Sequence, residues 1–187
     1  HRHDRERRGL KTVSVVGYTN AGKSTLVNAL TKKGAYVADA LFATLDTHVG
    51  KLWLERDDGS HQGDEVLISD TIGFIQDLPP KLIEAFSSTL DETVHASVLI
   101  HVLDASDKHH REKKREVEEI LDQLGVLDTP RILVLHKADL LTERSKQARL
   151  KQYAKEGAII ASSKSGEGIE GVKQAIRMAL QTIMSAE

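Results

Sequence analysis

The segment Gly17-Tyr18-Thr19-Asn20-Ala21-Gly22-Lys23-Ser24 constrains this chain more than any other feature, because it fits the pattern G-x-x-x-x-G-K-[ST]. A β-branched apolar run, Thr12 to Val16, leads into it, and a helix-forming stretch, Lys23 to Leu30, leads out. Strand, glycine-bearing loop and helix in that order imply an α/β unit whose loop cradles the phosphates of a nucleotide. Glycine lets the loop backbone bend with its N–H groups turned inward. Lys23 supplies a point charge for terminal phosphates, and the Ser24 hydroxyl can ligate Mg²⁺. The start of the following helix adds unpaired N–H donors and the positive end of its dipole. A glycine-rich turn that binds nothing is the bland alternative, and the complete context weighs against it.

The rest of the composition narrows the partners. A chain of 187 residues can build one substantial core and is short for two. Apolar residues at 40% and charged residues at 29% describe a globular domain, neither disordered nor fibrous. A formal net charge of -2 gives no global attraction to nucleic acid or anionic lipid, so sequence-specific DNA binding is not expected. Without cysteine there is neither a disulfide framework nor a thiolate metal site. No apolar run approaches the roughly 20 residues of a membrane span and no secretory segment opens the chain, so the cytoplasm is the simplest compartment. The pairs His1/His3 and His109/His110 are not spaced to share a helical face, which favours a surface role over a metal set.

Residues 1–10 are densely charged and have no apolar face before Leu10, as in the stub of a preceding helical region or a linker. A basic RNA-contacting patch is the sharper reading, weakened by the interleaved Asp4 and Glu6. From Lys11 onward strand-like and helix-like runs alternate. The buried-strand candidates are Thr12–Val16, Val66–Ser69, Val98–Leu103, Arg131–His136 and Ala158–Ala161. Helical stripes are carried by Leu82, Phe86 and Leu90, by Val117, Ile120, Leu121 and Leu124, and by Ile169, Val172, Ile176, Leu180 and Ile183. Val49 to Leu54, the turn Asp57-Asp58-Gly59-Ser60 and Val66–Ser69 read as a β-hairpin. The expected fold is an α/β P-loop domain with a mostly parallel six-stranded sheet, one antiparallel edge strand and helices on both faces.

Two further segments carry chemistry at strand ends. Asp70-Thr71-Ile72-Gly73 follows Val66–Ser69, where a carboxylate can support Mg²⁺ through water and the Gly73 N–H can sense a γ-phosphate. The pattern D-x-x-G is weak alone and strong one hairpin after a phosphate loop. His136-Lys137-Ala138-Asp139 ends another buried strand, one residue away from the guanine-reading pattern N-K-x-D. Asp139 can accept from the N1–H and amino group of guanine, and adenine would leave it unpaired. A helix cap is the alternative role for Asp139. Ser162-Ser163-Lys164 follows the last strand and resembles the S-A-K segment that backs a guanine ring.

Val16 to Leu26, Leu41-Phe42-Ala43-Thr44-Leu45-Asp46, and Asp70-Thr71-Ile72-Gly73-Phe74-Ile75 followed by Asp77-Leu78-Pro79 together resemble the HflX family of TRAFAC-class GTPases. The similarity runs from about residue 10 to the last helix, so residues 11–187 look like an isolated HflX G domain. The resemblance implies GTP and GDP as ligands and Mg²⁺ as cofactor. It implies a large ribosomal subunit as partner. Asn20, Ala21, Gly22, Lys23, Ser24 and Thr25 would hold phosphates, and His136, Lys137, Asp139, Ser162, Ser163 and Lys164 the base. Lys23, Thr44 and Gly73 would serve hydrolysis, with Ser24 and Thr44 on Mg²⁺ and Asp70 supporting it through water. Asn20 stands where K⁺-recruiting GTPases carry an asparagine, with a local turn role as the alternative.

Three features temper that picture. Phe74 sits where Ras-like enzymes place the glutamine that orients water, and phenylalanine makes no such hydrogen bond. Slow basal hydrolysis that rises when a partner orders the switches is the expectation. His136 replaces the usual asparagine, which predicts weaker guanine affinity with preference kept by Asp139. Thr47-His48 stands where the family has Pro-Thr, which leaves the stiffness of that switch open. The competing classes are a nucleotide-gated binding module with negligible hydrolysis and an ATP-using P-loop enzyme.

Overall fold

The computed structural model describes residues 11–18, 20–31, 48–70 and 93–186. Strands β1 (Thr12–Gly17), β2 (His48–Glu55), β3 (Gly63–Asp70), β4 (Val98–Asp104), β5 (Arg131–His136) and β6 (Ile159–Ile160) form one sheet in the order β2-β3-β1-β4-β5-β6. Helices α1 (Lys23–Thr31), α2 (His110–Gln123), α3 (Glu143–Gln152) and α4 (Ile169–Ala186) connect or close it. Every pairing is parallel except β2 with β3, the expected hairpin at the sheet edge.

Alternation along the central strands explains why helices sit on both faces, since successive side chains point to opposite sides. Val13 and Val15 of β1, Val98, Ile100 and Val102 of β4, and Ile132 and Val134 of β5 meet Leu26, Val27 and Leu30 of α1 and Val172, Ile176 and Leu180 of α4. The opposite face packs Val16 and Leu99 on Val117, Ile120 and Leu121 of α2. Farther along that face, Leu103, Leu133 and Leu135 pack with Tyr153 at the end of α3. Ile176 is fully buried in the larger cluster, and its truncation to alanine would cost about 3 kcal/mol.

Parallel register carries the ends of β1, β3, β4 and β5 to one edge. Val15 aligns with Asp70, Gly17 with Val102, and Asp104 with His136. β1 and β4 can approach this closely because residue 17 is glycine: a Cβ there would lie 2.6 Å from the Val102 carbonyl oxygen. The stripe of Leu82, Phe86 and Leu90 and the segments around Thr44 and Gly73 lie outside the described residues.

Candidate nucleotide site

The edge formed by those strand ends gathers the residues expected to cradle phosphates, to support a cation and to read a base. The loop from Gly17 delivers Lys23 and Ser24 as the first residues of α1, whose initial N–H groups have no intrahelical partner. Lys23 is 8% exposed, and burial pushes its ammonium below the usual lysine range while the Asp70 carboxylate opposes that shift. Such a buried cation is stabilised by an anion beside it. Thr25 follows on the exposed side of the same turn.

Ser24 Oγ donates to Asp70 Oδ2 at 2.6 Å, which joins the loop to the end of β3. Asp70 is buried, and its Oδ1 has no hydrogen-bond partner among the described residues. A buried carboxylate oxygen without a donor calls for a cation or water. A hydroxyl and a carboxylate are the hard oxygen donors that Mg²⁺ prefers, so the residues present fit that ion. Thr44 and Gly73, the other expected contributors, lie outside the described residues.

His136 and Lys137 reach back to the phosphate loop from the end of β5. His136 Nδ1 lies 3.0 Å from the Ala21 carbonyl oxygen, and Nε2 lies 2.7 Å from Ser163 Oγ. A carbonyl only accepts, so Nδ1 carries the proton and Nε2 accepts from the serine hydroxyl. Burial first, and the Lys137 charge after it, lower the pKa of the ring despite the Ala21 bond, which keeps it neutral at ordinary pH. Because the peptide is planar and trans, holding the Ala21 carbonyl on His136 turns the Gly22 N–H to the opposite side. Gly22 has φ +90°, and a Cβ there would lie 2.5 Å from His136 Nδ1. Glycine at 22 and histidine at 136 therefore fit one another sterically.

Lys137 Nζ donates to the Asn20 carbonyl at 2.7 Å and pairs with Asp104 Oδ2 at 3.1 Å. Asn20 and Lys137 both adopt the left-handed conformation, with φ of 67° and 62°. Asp139 follows in the 3₁₀ turn Ala138–Leu140 and accepts from Ser162 Oγ at 2.7 Å. That bond leads the effects that hold the exposed Asp139 carboxyl below its usual range, with the Lys164 charge adding to it. Ser162 is itself fixed, its Oγ accepting from the Ser165 N–H at 3.1 Å. Lys164 is exposed in the same loop.

The structure thus brings together Asn20, Ala21, Gly22, Lys23, Ser24, Asp70, His136, Lys137, Asp139, Ser162 and Ser163. The imidazole at position 136 donates through one nitrogen and accepts through the other, each to a single partner. Sequence reasoning missed Asp104. It closed that strand at Leu103, although a charged residue ending a central parallel strand was itself a signal.

Residues 12–137 match the sequence model of a family described as 50S ribosome-binding GTPase. The GTPase HflX of Caldanaerobacter subterraneus subsp. tengcongensis is 50% identical over 140 residues, covering 75% of this chain and 31% of that protein. The GTPase HflX of Escherichia coli is 40% identical over 175 residues, covering 94% of this chain and 40% of that protein. This chain therefore spans less than half the length of these curated relatives. A GTP-binding protein from the hyperthermophilic archaeon Sulfolobus solfataricus, solved in complex with GDP, shares the fold with a TM-score of 0.68. It is 23% identical, and the match covers 97% of this chain and 56% of that one. Fold, motif residues and sequence agree, and the chain belongs to the 50S ribosome-binding GTPase family as a G domain of the HflX type.

Proposed function

We propose that this chain binds GTP together with Mg²⁺ and hydrolyses it to GDP and phosphate. The observation that carries the reading is the convergence of buried Lys23, the Ser24–Asp70 pair and the Ser162–Asp139 pair on one sheet edge. Lys23 and the first N–H groups of α1 hold phosphate charge. Ser24 would ligate Mg²⁺ and Asp70 would support it through water; the ion, when bound, neutralises charge on the phosphate oxygens. Asp139, kept ionised by Ser162, accepts from the guanine edge, and the Lys137 stem lies along the base. Phosphoryl transfer asks the protein mainly for positioning and charge stabilisation, which these fixed groups supply.

Thr44 and Gly73 complete the reaction centre in this reading, and Phe74 makes basal turnover slow. The description of the matching family suggests a large ribosomal subunit as the partner that orders the switches, and a cytoplasmic setting with it. No helix among the described residues is long and apolar enough to cross a membrane. Residues 11–187 act as the G domain in this reading. Asn20, left-handed and exposed in the loop, is the candidate K⁺ ligand. The ATP-using alternative rested on His136, whose two nitrogens are spent on Ala21 and Ser163.

Multiple-turnover phosphate release from GTP tests the reading, with and without large ribosomal subunits, in K⁺ and then in Na⁺ buffer. Slow release that rises with subunits supports it, and a K⁺-specific gain assigns Asn20 its role. GTP binding without any release in any condition would favour the gated binding module instead.

A further inference from the structure

We propose that Asp104 is a positioning residue for nucleotide binding, acting through Lys137; this rests on the site reading above. Asp104 ends β4 directly beside His136, the last residue of β5, and the Ala105 N–H continues that ladder to the His136 carbonyl at 2.9 Å. Its two carboxylate oxygens face different partners. Oδ1 accepts from the Ser106 N–H at 2.9 Å and from Ser106 Oγ at 2.6 Å, which fixes the carboxylate on its own turn. Oδ2 is left to face Lys137 Nζ at 3.1 Å, in a pair whose side chains are 31% and 20% exposed.

Lys137 needs such a hold. Its left-handed backbone is uncommon for a residue with a Cβ and persists where surrounding contacts over-determine it. A single carbonyl, that of Asn20, would leave a long flexible side chain weakly held. With Asp104 on one side and Asn20 on the other, the ammonium is clamped and the alkyl stem is set before any ligand arrives. The same ammonium fixes the Asn20 carbonyl, next to the Ala21 carbonyl that His136 holds. Two consecutive phosphate-loop carbonyls are thus pinned from the base side, and Asp104 is the anchor for one of them.

The turn that carries Asp104 reaches the loop a second time. Asp107 Oδ2 takes Lys113 Nζ at 2.5 Å, and that ammonium lies 4.8 Å from the centre of the Tyr18 ring. Tyr18, Asn20, Asp104, Asp107, Lys113 and Lys137 line one small cavity of about 120 Å³. The turn after β4 therefore braces the phosphate loop, and only its Asp104 arm runs through a base-reading residue.

The test compares Mg²⁺-GDP and Mg²⁺-GTP affinity, saturated GTP turnover and thermal stability for the wild type, Asp104→Asn and Asp104→Glu. Asparagine keeps the acceptor for Ser106 and loses the charge facing Lys137, so the fold is retained. The expected result is about a tenfold loss of affinity for both nucleotides, typical of an outer-shell positioning partner. Turnover at saturation and melting temperature stay near wild type, and Asp104→Glu recovers part of the loss. In a Lys137→Met background the Asp104→Asn change should add nothing further. Unchanged affinity in Asp104→Asn, or a full additional loss in the Lys137→Met background, would overturn the assignment and leave the nucleotide site intact. Failure of the wild type to bind guanine nucleotides would overturn both.

Discussion

Replacing His101 by leucine should remove much of the acid sensitivity of this fold. His101 lies in the middle of β4, paired with Val16 on one side and Leu133 on the other, and is 1% exposed. Neither ring nitrogen has a hydrogen-bond partner among the described residues. Burial, helped by the nearby Arg131 and Lys114 charges, pushes its pKa from 6.5 down to about 3. The unfolded chain therefore holds more protons than the folded one between those values. Stability from this group is full above the unfolded pKa and is lost as pH falls toward the folded one. At about pH 4 the deficit is ~3.5 kcal/mol, from roughly 2.5 units at about 1.4 kcal/mol each. That is a large share of the ~5–15 kcal/mol that holds a domain together.

Leucine has no proton to bind and fills a comparable volume in an apolar setting. Urea unfolding of wild type and His101→Leu at about pH 7 and about pH 4 reads the effect directly. The variant should match or exceed the wild type at the higher pH, since two unpaired buried nitrogens are gone. It should be spared ~3.5 kcal/mol of the wild-type loss on acidification, other carboxylates and histidines cancelling in the difference. Equal losses in the two proteins would show that His101 finds a proton partner or stays hydrated in the fold.

Lys23→Met should weaken GTP binding by about a hundredfold or more, because a phosphate loses its buried counter-charge. The same change should raise the melting temperature of the nucleotide-free domain, since an ammonium with a burial penalty is removed. Asp70→Asn should cut the Mg²⁺-dependent gain in GTP affinity by roughly tenfold in a titration of the ion, with Mg²⁺-free binding little changed. His136→Ala should destabilise the fold by ~2–3 kcal/mol through two lost hydrogen bonds and the space left behind, measured by urea unfolding. His136→Asn keeps an amide able to bond one of the two partners and should lose about half as much.

The sheet and its phosphate loop were legible because period-two apolar runs and a glycine-lysine-serine turn leave local marks in the chain. Strand β5 was read as Arg131–His136, the bounds it has in the structure, since a continuous buried run ends abruptly at a polar residue there. Helix α3 left no such mark. None of its residues is buried, so it carries no apolar stripe, and its start is set by Thr142 accepting from the Ser145 N–H. Asp139 and Asp70 were found through their motifs, whereas Asp104 acts through a contact between residues far apart in sequence. His136 shows the same limit from the other side. Residue type alone pointed to weaker guanine affinity, and only the geometry shows that Ala21 and Ser163 are the partners of the two imidazole nitrogens.

Direct competition of guanine and adenine nucleotides for the Mg²⁺-loaded domain tests the central claim most simply. Calorimetric titration with GTP, GDP, ATP and ADP should give guanine binding that Asp139→Ala weakens, and adenine binding weaker by at least about a hundredfold. Equal affinity for the two purines, or guanine binding indifferent to Asp139, would contradict a site that reads guanine from the end of β5.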